Sequence, residues 1–239
     1  MRLNYPIDKS FFCDLVLQRT GSLTRIHGFT PIRKWLESGD RSFIEAFHED
    51  ERSRRTILEQ LEEDIYADVD SILSLLPINY IPDSIVSIGP GNAILETFLL
   101  KHYWHRSAIT LIDIEHTDSH HHGYKANGAG YASLEKALLF MTSNGLHRGQ
   151  LTLCNPRKDM LPNTKFCLLI SILSMGFHFP LDSYAEYILT CCTEDGLVIF
   201  DKRKGIVDNG YARILDSGFH VSQVTDLGKA ERILLSRRS

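Results

Sequence analysis

The chain has 239 residues, 43% of them hydrophobic and 23% charged, a balance that excludes a disordered or collagen-like polymer. Its 26 basic and 30 acidic side chains give a formal net charge of −4, so the broad attraction that supplies most affinity for nucleic acid is absent and no nucleic-acid partner is expected. The longest apolar runs stop well short of the ~20 residues a membrane helix needs, so no membrane span is expected.

The N-terminal stretch MRLNYPIDKSFFCDLVL sets Asp8, Lys9 and Asp14 among its apolar residues and lacks a small-residue cleavage site, which argues against a signal peptide. Residues 10–47 read as short helices separated by Gly21, Gly28, Pro31 and Gly39. A longer helix over 53–76 follows from the spacing of Ile57, Leu58, Leu61, Ile65, Val69, Ile72, Leu73 and Leu76. Ser53 or Asp40 is the expected cap, and Pro77 the stop. Arg52–Arg55 (RSRR) reads as a solvated helix face, with an anion site as the alternative. Residues 1–80 are thus a helical N-terminal segment, a lid or a homodimer contact.

From Tyr80 the pattern alternates strands with helices. The predicted strands are Ser84–Ile88, Ala108–Ile112, Gln150–Leu153, Phe166–Ile172, Leu197–Phe200, His220–Val224 and Ile233–Ser236. The first five are short apolar runs, as parallel strands buried on both faces require. Between them lie helical patterns at Ala93–Tyr103, Ala132–Asn144, Leu181–Cys192 and Ile206–Ser217, which makes a βαβ series. Only Thr225–Arg232 separates the last two strands, too little chain for a helical crossover, so the seventh strand should run reversed in a hairpin. Of the five cysteines (Cys13, Cys154, Cys167, Cys191 and Cys192), four sit in or beside apolar runs, and no CxxC pair occurs. Reduced thiols in a soluble, cytoplasmic protein are the expectation.

The strongest local signal is VSIGPGNAILETFL, residues 86–99: a buried strand, a Gly89-Pro90-Gly91 turn, and a helix opening near Ala93. Gly89 permits a tight turn, Gly91 lets a ligand approach the backbone, and the helix start offers unpaired N–H groups. Asp113 ends the second strand 22 residues beyond Gly91, a placement suited to accepting ribose hydroxyls, with Glu115 as the fallback. A tight structural turn and a capping aspartate are the plain alternatives.

These residues, with the stretch after strand four and the terminal Gly218-Phe219 strand and hairpin, resemble the class I S-adenosylmethionine-dependent methyltransferases over about residues 80–239. SILSMGFHFP (171–180) and DKRKG after strand five are also similar to the sugar O-methyltransferase type. The resemblance implies a Rossmann-like α/β fold, a mostly parallel seven-stranded sheet whose last strand is reversed, with residues 81–239 as the cofactor-binding methyltransferase domain. It implies S-adenosylmethionine as cofactor, S-adenosylhomocysteine as product, and a small-molecule acceptor, sugar-like or another metabolite. Three positions depart from the pattern: Ser87 replaces the acid two places before the first glycine, Ala93 the third glycine, and Cys167 an aspartate near the start of strand four. The loss at Ser87 removes a partner expected near the cofactor's amino-acid end.

By the same resemblance the cofactor should lie over Gly89, Pro90, Gly91 and Asn92, with Asp113 and Ile114 at the ribose and Ser171 and Leu173 at the end of strand four. Adenine falls to the loop after strand three, where Asn155 can donate and accept and Asp159 is the acidic alternative. Ser174 and Phe177 are substrate-facing. His178 is the expected general base, since an ordinary imidazole titrates near ~6.5; a packed loop histidine is the alternative. Asp201 could be a second base or orient His178, and Lys202–Lys204 could attract a phosphate or carboxylate, against the plain reading of a solvated charge run. In His116–Tyr131, a Gly-rich loop expected to cover the substrate, His122, Tyr124 and Tyr131 are substrate contacts. His120, His122 and Asp118 lack any recognised zinc spacing, so no metal is expected. Two rivals share this frame: an NAD-dependent oxidoreductase, and a non-catalytic methyltransferase-fold binding protein.

Overall fold

A computed structural model describes residues 8–116, 123–125 and 130–237. Five helices come first. α1 (Lys9–Gln18) starts where the Asp8 carboxylate accepts the Phe11 N–H at 2.7 Å, satisfying one donor that a helix start leaves open. α2 (Thr20–His27), α3 (Thr30–Ser38) and α4 (Ser42–Glu49) are short; α3 carries Pro31 in its first turn, where no N–H is needed, and stops at a left-handed Gly39. α5 (Glu51–Leu75) then runs for 25 residues. Its cap is Asp50, which accepts the Ser53 N–H at 3.0 Å, and not Ser53 or Asp40. A cap must immediately precede the first helical residue, and Asp40 is spent ahead of α4 on the Ser42 N–H at 2.9 Å.

The α/β part contains β1 (Ser84–Ile88), α6 (Ile94–His102), β2 (Ala108–Ile112), α7 (Leu134–Ser143), β3 (Leu151–Cys154), β4 (Phe166–Ser171), α8 (Asp182–Cys191), β5 (Cys192–Arg203), α9 (Asn209–Asp216), β6 (Phe219–Asp226) and β7 (Ala230–Arg237). The strands form one sheet in the order β3-β2-β1-β4-β5-β7-β6. β1 through β5 are parallel, and β7 lies antiparallel between β5 and β6, as the short hairpin connection requires. β1 has β2 on one side and β4 on the other, so the chain reverses its direction of winding there and a crevice opens beyond the strand ends.

Several boundaries differ from the sequence pattern, among them the starts of β5 and α9. β5 begins at Cys192 rather than Leu197: Cys192 pairs with Phe166 ahead of a register irregularity, and the polar Thr193–Gly196 stretch conceals the extension. α9 begins at Asn209 rather than Ile206, because Asp208 caps it by accepting the Tyr211 N–H at 3.2 Å.

Alternation along the strands sorts the core into two layers. Ile85, Leu168, Ile199 and Leu234 face the layer filled by α6, α7 and the N-terminal helices. Val86, Leu169, Val198 and Leu235 face the layer under α8 and α9. The Tyr66 and Phe98 rings, 4.3 Å apart, join α5 to α6, and Phe11 and Phe140, 5.4 Å apart, join α1 to α7. Among the described residues no helix is long and apolar enough to cross a membrane.

Buried charge joins the same parts. Arg232 of β7 is 1% exposed and donates to both oxygens of Asp201 on β5, at 2.8 and 3.1 Å, and to Asp68 of α5 at 2.8 Å. Asp68 also pairs with Arg19, between α1 and α2. Opposite charges at once hold Asp68 below the usual carboxylate range despite the burial that pushes it up. Replacing one partner of such a pair leaves an uncompensated buried charge. Arg232→Met is therefore expected to lower the unfolding free energy by about 3–5 kcal/mol in denaturant titration, whereas Arg55→Met, which removes a surface pair with Glu59, should cost under ~1 kcal/mol.

Candidate functional site

β1 delivers its last residues into the glycine turn at the crevice floor. Gly89 has φ +70°, and its N–H donates to the Ile112 carbonyl at 2.8 Å. A Cβ there would lie 1.8 Å from Ser174 Oγ, so only glycine lets the turn and the loop after β4 meet. Gly91, at φ +60°, donates its N–H to Asp113 Oδ2 at 3.1 Å, and a Cβ on it would lie 2.3 Å from the Gln18 side chain. Ala93 takes φ +56° at the cap of α6; it is strained left-handed backbone as well as a close-packing substitute.

Asp113 ends β2 beside this turn. Its Oδ1 accepts the Glu115 N–H at 2.9 Å while Oδ2 holds Gly91, which leaves lone pairs on both oxygens for hydroxyl donors. Burial raises its pKa, opposed by those two N–H bonds. Across the crevice, Ser87 Oγ donates to Glu96 Oε1 at 2.6 Å; Glu96 is 4% exposed, and burial pushes its pKa up to about 7 against the pull of Ser87 and Arg19. Tyr131 and Tyr184 complete the walls.

The loop after β4 closes the other end. Leu173, at φ +51°, donates its N–H to Asp201 Oδ2 at 3.1 Å, and the turn from Ser174 is pinned by the His178 N–H donating to the Ser174 carbonyl at 2.8 Å. His178 Nδ1 lies 3.5 Å from the Gly123 carbonyl. This imidazole stands where the crevice meets a second groove, which runs between Arg19, Asp64 and the β5 and β7 ends. That junction joins the crevice to a wider groove, with an imidazole between them.

Nine of the residues singled out in the sequence line the crevice: Gly89, Pro90, Gly91, Asp113, Ile114, Tyr131, Leu173, Ser174 and His178. Phe177 lines the second groove instead, with Arg203 stacked 4.5 Å over its ring. Others are occupied elsewhere. Asn92 is fully buried, and its amide turns to the Phe11 carbonyl at 3.4 Å. Asn155 donates to Glu115 Oε2 at 2.6 Å and accepts from the Arg157 N–H at 3.0 Å, while Asp159 accepts the Asn155 N–H at 2.9 Å; both side chains build their own loop and neither lines the crevice. Ser171 is fully buried, donating to the Ile88 carbonyl at 2.9 Å and accepting the Met175 N–H at 2.9 Å. Tyr124 donates to Asp208 at 3.1 Å, away from the crevice. Asp201 borders the second groove, but its carboxylate is fully buried on Arg232, so it orients the loop after β4 rather than facing a proton donor. His122 lies outside the described residues, as do His120 and Asp118.

Contributors to the crevice that the sequence does not single out include Gln18, Arg19 and Glu96. The first two come from the helical segment, far away in sequence, and nothing local marks them. Glu96 does leave a trace, as a lone acid in the apolar run ILETFLL.

The glycine turn yields a controlled comparison. Gly89→Ala is expected to destabilise the fold by about 2 kcal/mol or more than Gly28→Ala does, since both need positive φ but only Gly89 has an atom in the way; denaturant midpoints of the two variants measure the difference.

No protein-family model matches the chain, and no curated protein matches it in sequence. Solved structures do. A ribosomal-protein methylase from Lactobacillus delbrueckii subsp. bulgaricus aligns with a TM-score of 0.51 at 17% identity over 71% of this chain and 77% of its own. The mitomycin 7-O-methyltransferase MmcR aligns with a TM-score of 0.51 at 12% identity over 98% of this chain, helical segment included, and 74% of its own. The architecture is therefore the seven-stranded α/β fold of the class I methyltransferases, with the reversed last strand.

Proposed function

We propose that this chain binds S-adenosylmethionine in the crevice and transfers its methyl group to a hydroxyl of a small molecule seated in the adjoining groove. The observation that carries this reading is that Asp113, with lone pairs to spare beside a Cβ-excluding glycine turn, and His178 line one crevice. Buried polar atoms without partners at the turn, among them Glu96 Oε2 and Gln18 Nε2, fit a polar ligand over it. Bound there, the cofactor supplies an electrophilic methyl group on a sulfonium.

The chain's own residues then have separable tasks. Asp113 accepts the ribose hydroxyls and so sets the depth of the nucleoside. Gly89 and Gly91 let Ser174 and Gln18 close onto the turn beside it, and Ile112 and Ile114 offer it an apolar wall. Leu173 and Ser174, fixed through Asp201, shape the end of the crevice nearest the groove. His178 takes the acceptor's hydroxyl proton as the new C–O bond forms, a role that contributes ~10²–10⁴ in rate. Holding the two reactants in line accounts for several more kcal/mol. We read the helical segment as a fixed wall of this site, since Gln18 and Arg19 line it.

Calorimetry separates this reading from its rivals. S-adenosylhomocysteine should bind and NADH should not; the reverse result would make the chain an oxidoreductase. Asp113→Ala should weaken S-adenosylhomocysteine by about tenfold or more, as the loss of charge-assisted hydrogen bonds predicts. With a hydroxyl acceptor found by methyl-transfer screening, His178→Ala should lower turnover ~10²–10⁴-fold while leaving cofactor affinity unchanged. Binding without transfer to any hydroxyl, amine or thiol would leave a binding protein.

A further inference from the structure

The roles above leave unused the most deeply buried acid at the crevice. Glu96 sits in the first turn of α6, flanked by Leu95, Thr97 and Phe98, all buried. One carboxyl oxygen takes the Ser87 hydroxyl at 2.6 Å; the other has no hydrogen-bond partner among the described residues, although the side chain lines the crevice. A buried carboxyl in that condition is expensive, because nothing replaces the water it lost.

Two further orphans gather at the same turn. Asn92 Oδ1 and Gln18 Nε2 are buried without partners, and the two residues are joined by the Asn92 N–H donating to Gln18 Oε1 at 3.1 Å. Arg19 follows Gln18 on the crevice wall. Glu96 Oε2 and Gln18 Nε2 thus stand without partners on two side chains of the crevice wall, beside an Arg19 that is paired with Asp68. A ligand group bearing an ammonium and a carboxylate on one carbon offers Glu96 a donor and Gln18 an acceptor. The far side of the turn, at Asp113, lacks this set.

We propose that Glu96 anchors the ammonium of the cofactor's amino-acid end, and that its carboxyl releases a proton to solvent when that ammonium arrives. The inference rests on the cofactor reading above. In the step the carboxyl O–H breaks, its proton leaves to buffer, and an ammonium N–H···O bond forms with the ammonium still charged. The charged and titratable groups facing Glu96 are Arg19, between α1 and α2, which favours the ionised carboxylate, and Asp113, just beyond β2, which disfavours it; Ser87 on β1 donates to it. Burial pushes this carboxyl up to about 7, so near neutral pH it holds a proton that an arriving ammonium can displace.

Two ligands and one variant test this by calorimetry without turnover: S-adenosylhomocysteine, and 5′-methylthioadenosine, which keeps the nucleoside but lacks the amino-acid end. In the wild-type protein, S-adenosylhomocysteine affinity should fall by about twentyfold from about pH 7.5 to about pH 5.5, and 5′-methylthioadenosine affinity should not follow it. Buffers of different ionisation enthalpy should report a proton released with the first ligand and none with the second. Glu96→Gln, close in shape, should weaken S-adenosylhomocysteine about tenfold or more, abolish its pH dependence, and leave 5′-methylthioadenosine within about twofold. Equal losses for both ligands, or a pH slope that survives in the variant, would overturn the proposal while leaving the cofactor reading intact. Failure of both ligands to bind the wild-type protein would overturn both. Should the variant fold poorly, proton release in the wild-type protein still decides.

Discussion

The cluster Arg19–Asp68–Arg232–Asp201 is the constraint on which the site depends. It joins four parts of the chain that are remote in sequence: the α1–α2 junction, the middle of α5, the end of β5 and the reversed strand β7. Desolvating these charges costs several kcal/mol per ion, and the cost is offset only because Arg232 meets both oxygens of Asp201 and one of Asp68. The same Asp201 accepts the Leu173 N–H, so the loop carrying Ser174 and His178 is referenced to the cluster. Arg19, at the other end, follows Gln18, which lies against the glycine turn. Both walls of the crevice therefore take their positions from one set of charges.

A second buried acid performs a similar task on the opposite flank. Asp14 of α1 is fully buried and pairs with Lys136 of α7 and Arg41 ahead of α4. With the aromatic contacts of α1 and α5, these links make the helical segment part of the same core as the sheet. Such rigidity suits a site whose task is positioning, because a misplacement of an ångström in an in-line displacement is costly. The backbone reflects the same demand. Beside the positive-φ glycines Gly89 and Gly91, the non-glycine residues Ala93 and Leu173 also hold positive φ, and such strain persists only where the surroundings impose it.

Much of this was legible in the residues. The apolar runs of β1, β2 and β4 carry their burial on their face, and the short stretch that the pattern leaves between the last two strands makes an antiparallel return the physical option. Asp113 was legible because a carboxylate at a strand end, one helix beyond a glycine turn, must project toward that turn. His178 and Ser174 followed from the rule that ligands collect beyond the carboxyl ends of parallel strands. The loop after β3 was harder. Asn155 and Asp159 have the right chemistry for a base edge, but the loop spends them on its own N–H groups and on Glu115, a choice between inward and outward bonding that residue type does not make. Residue type is equally silent on the partner of Asp201: its counter-ion Arg232 lies 31 residues away, on a strand that pairs with β5 only in the folded sheet.

Periodicity and turn chemistry, acting between neighbours along the chain, determined the order of elements, the reversed strand, the glycine turn and the acid at the end of β2. Those interactions are local, so a linear reading recovers them. Only the tertiary structure decided which polar groups would be spent on one another and which would be left facing the crevice. It seated Gln18 on Gly91 and turned Glu96 toward Ser87. The reason lies in the cost of burial: a charged or polar side chain takes whatever partner the packed core brings within about 3 Å, and that partner is set by the meeting of distant segments.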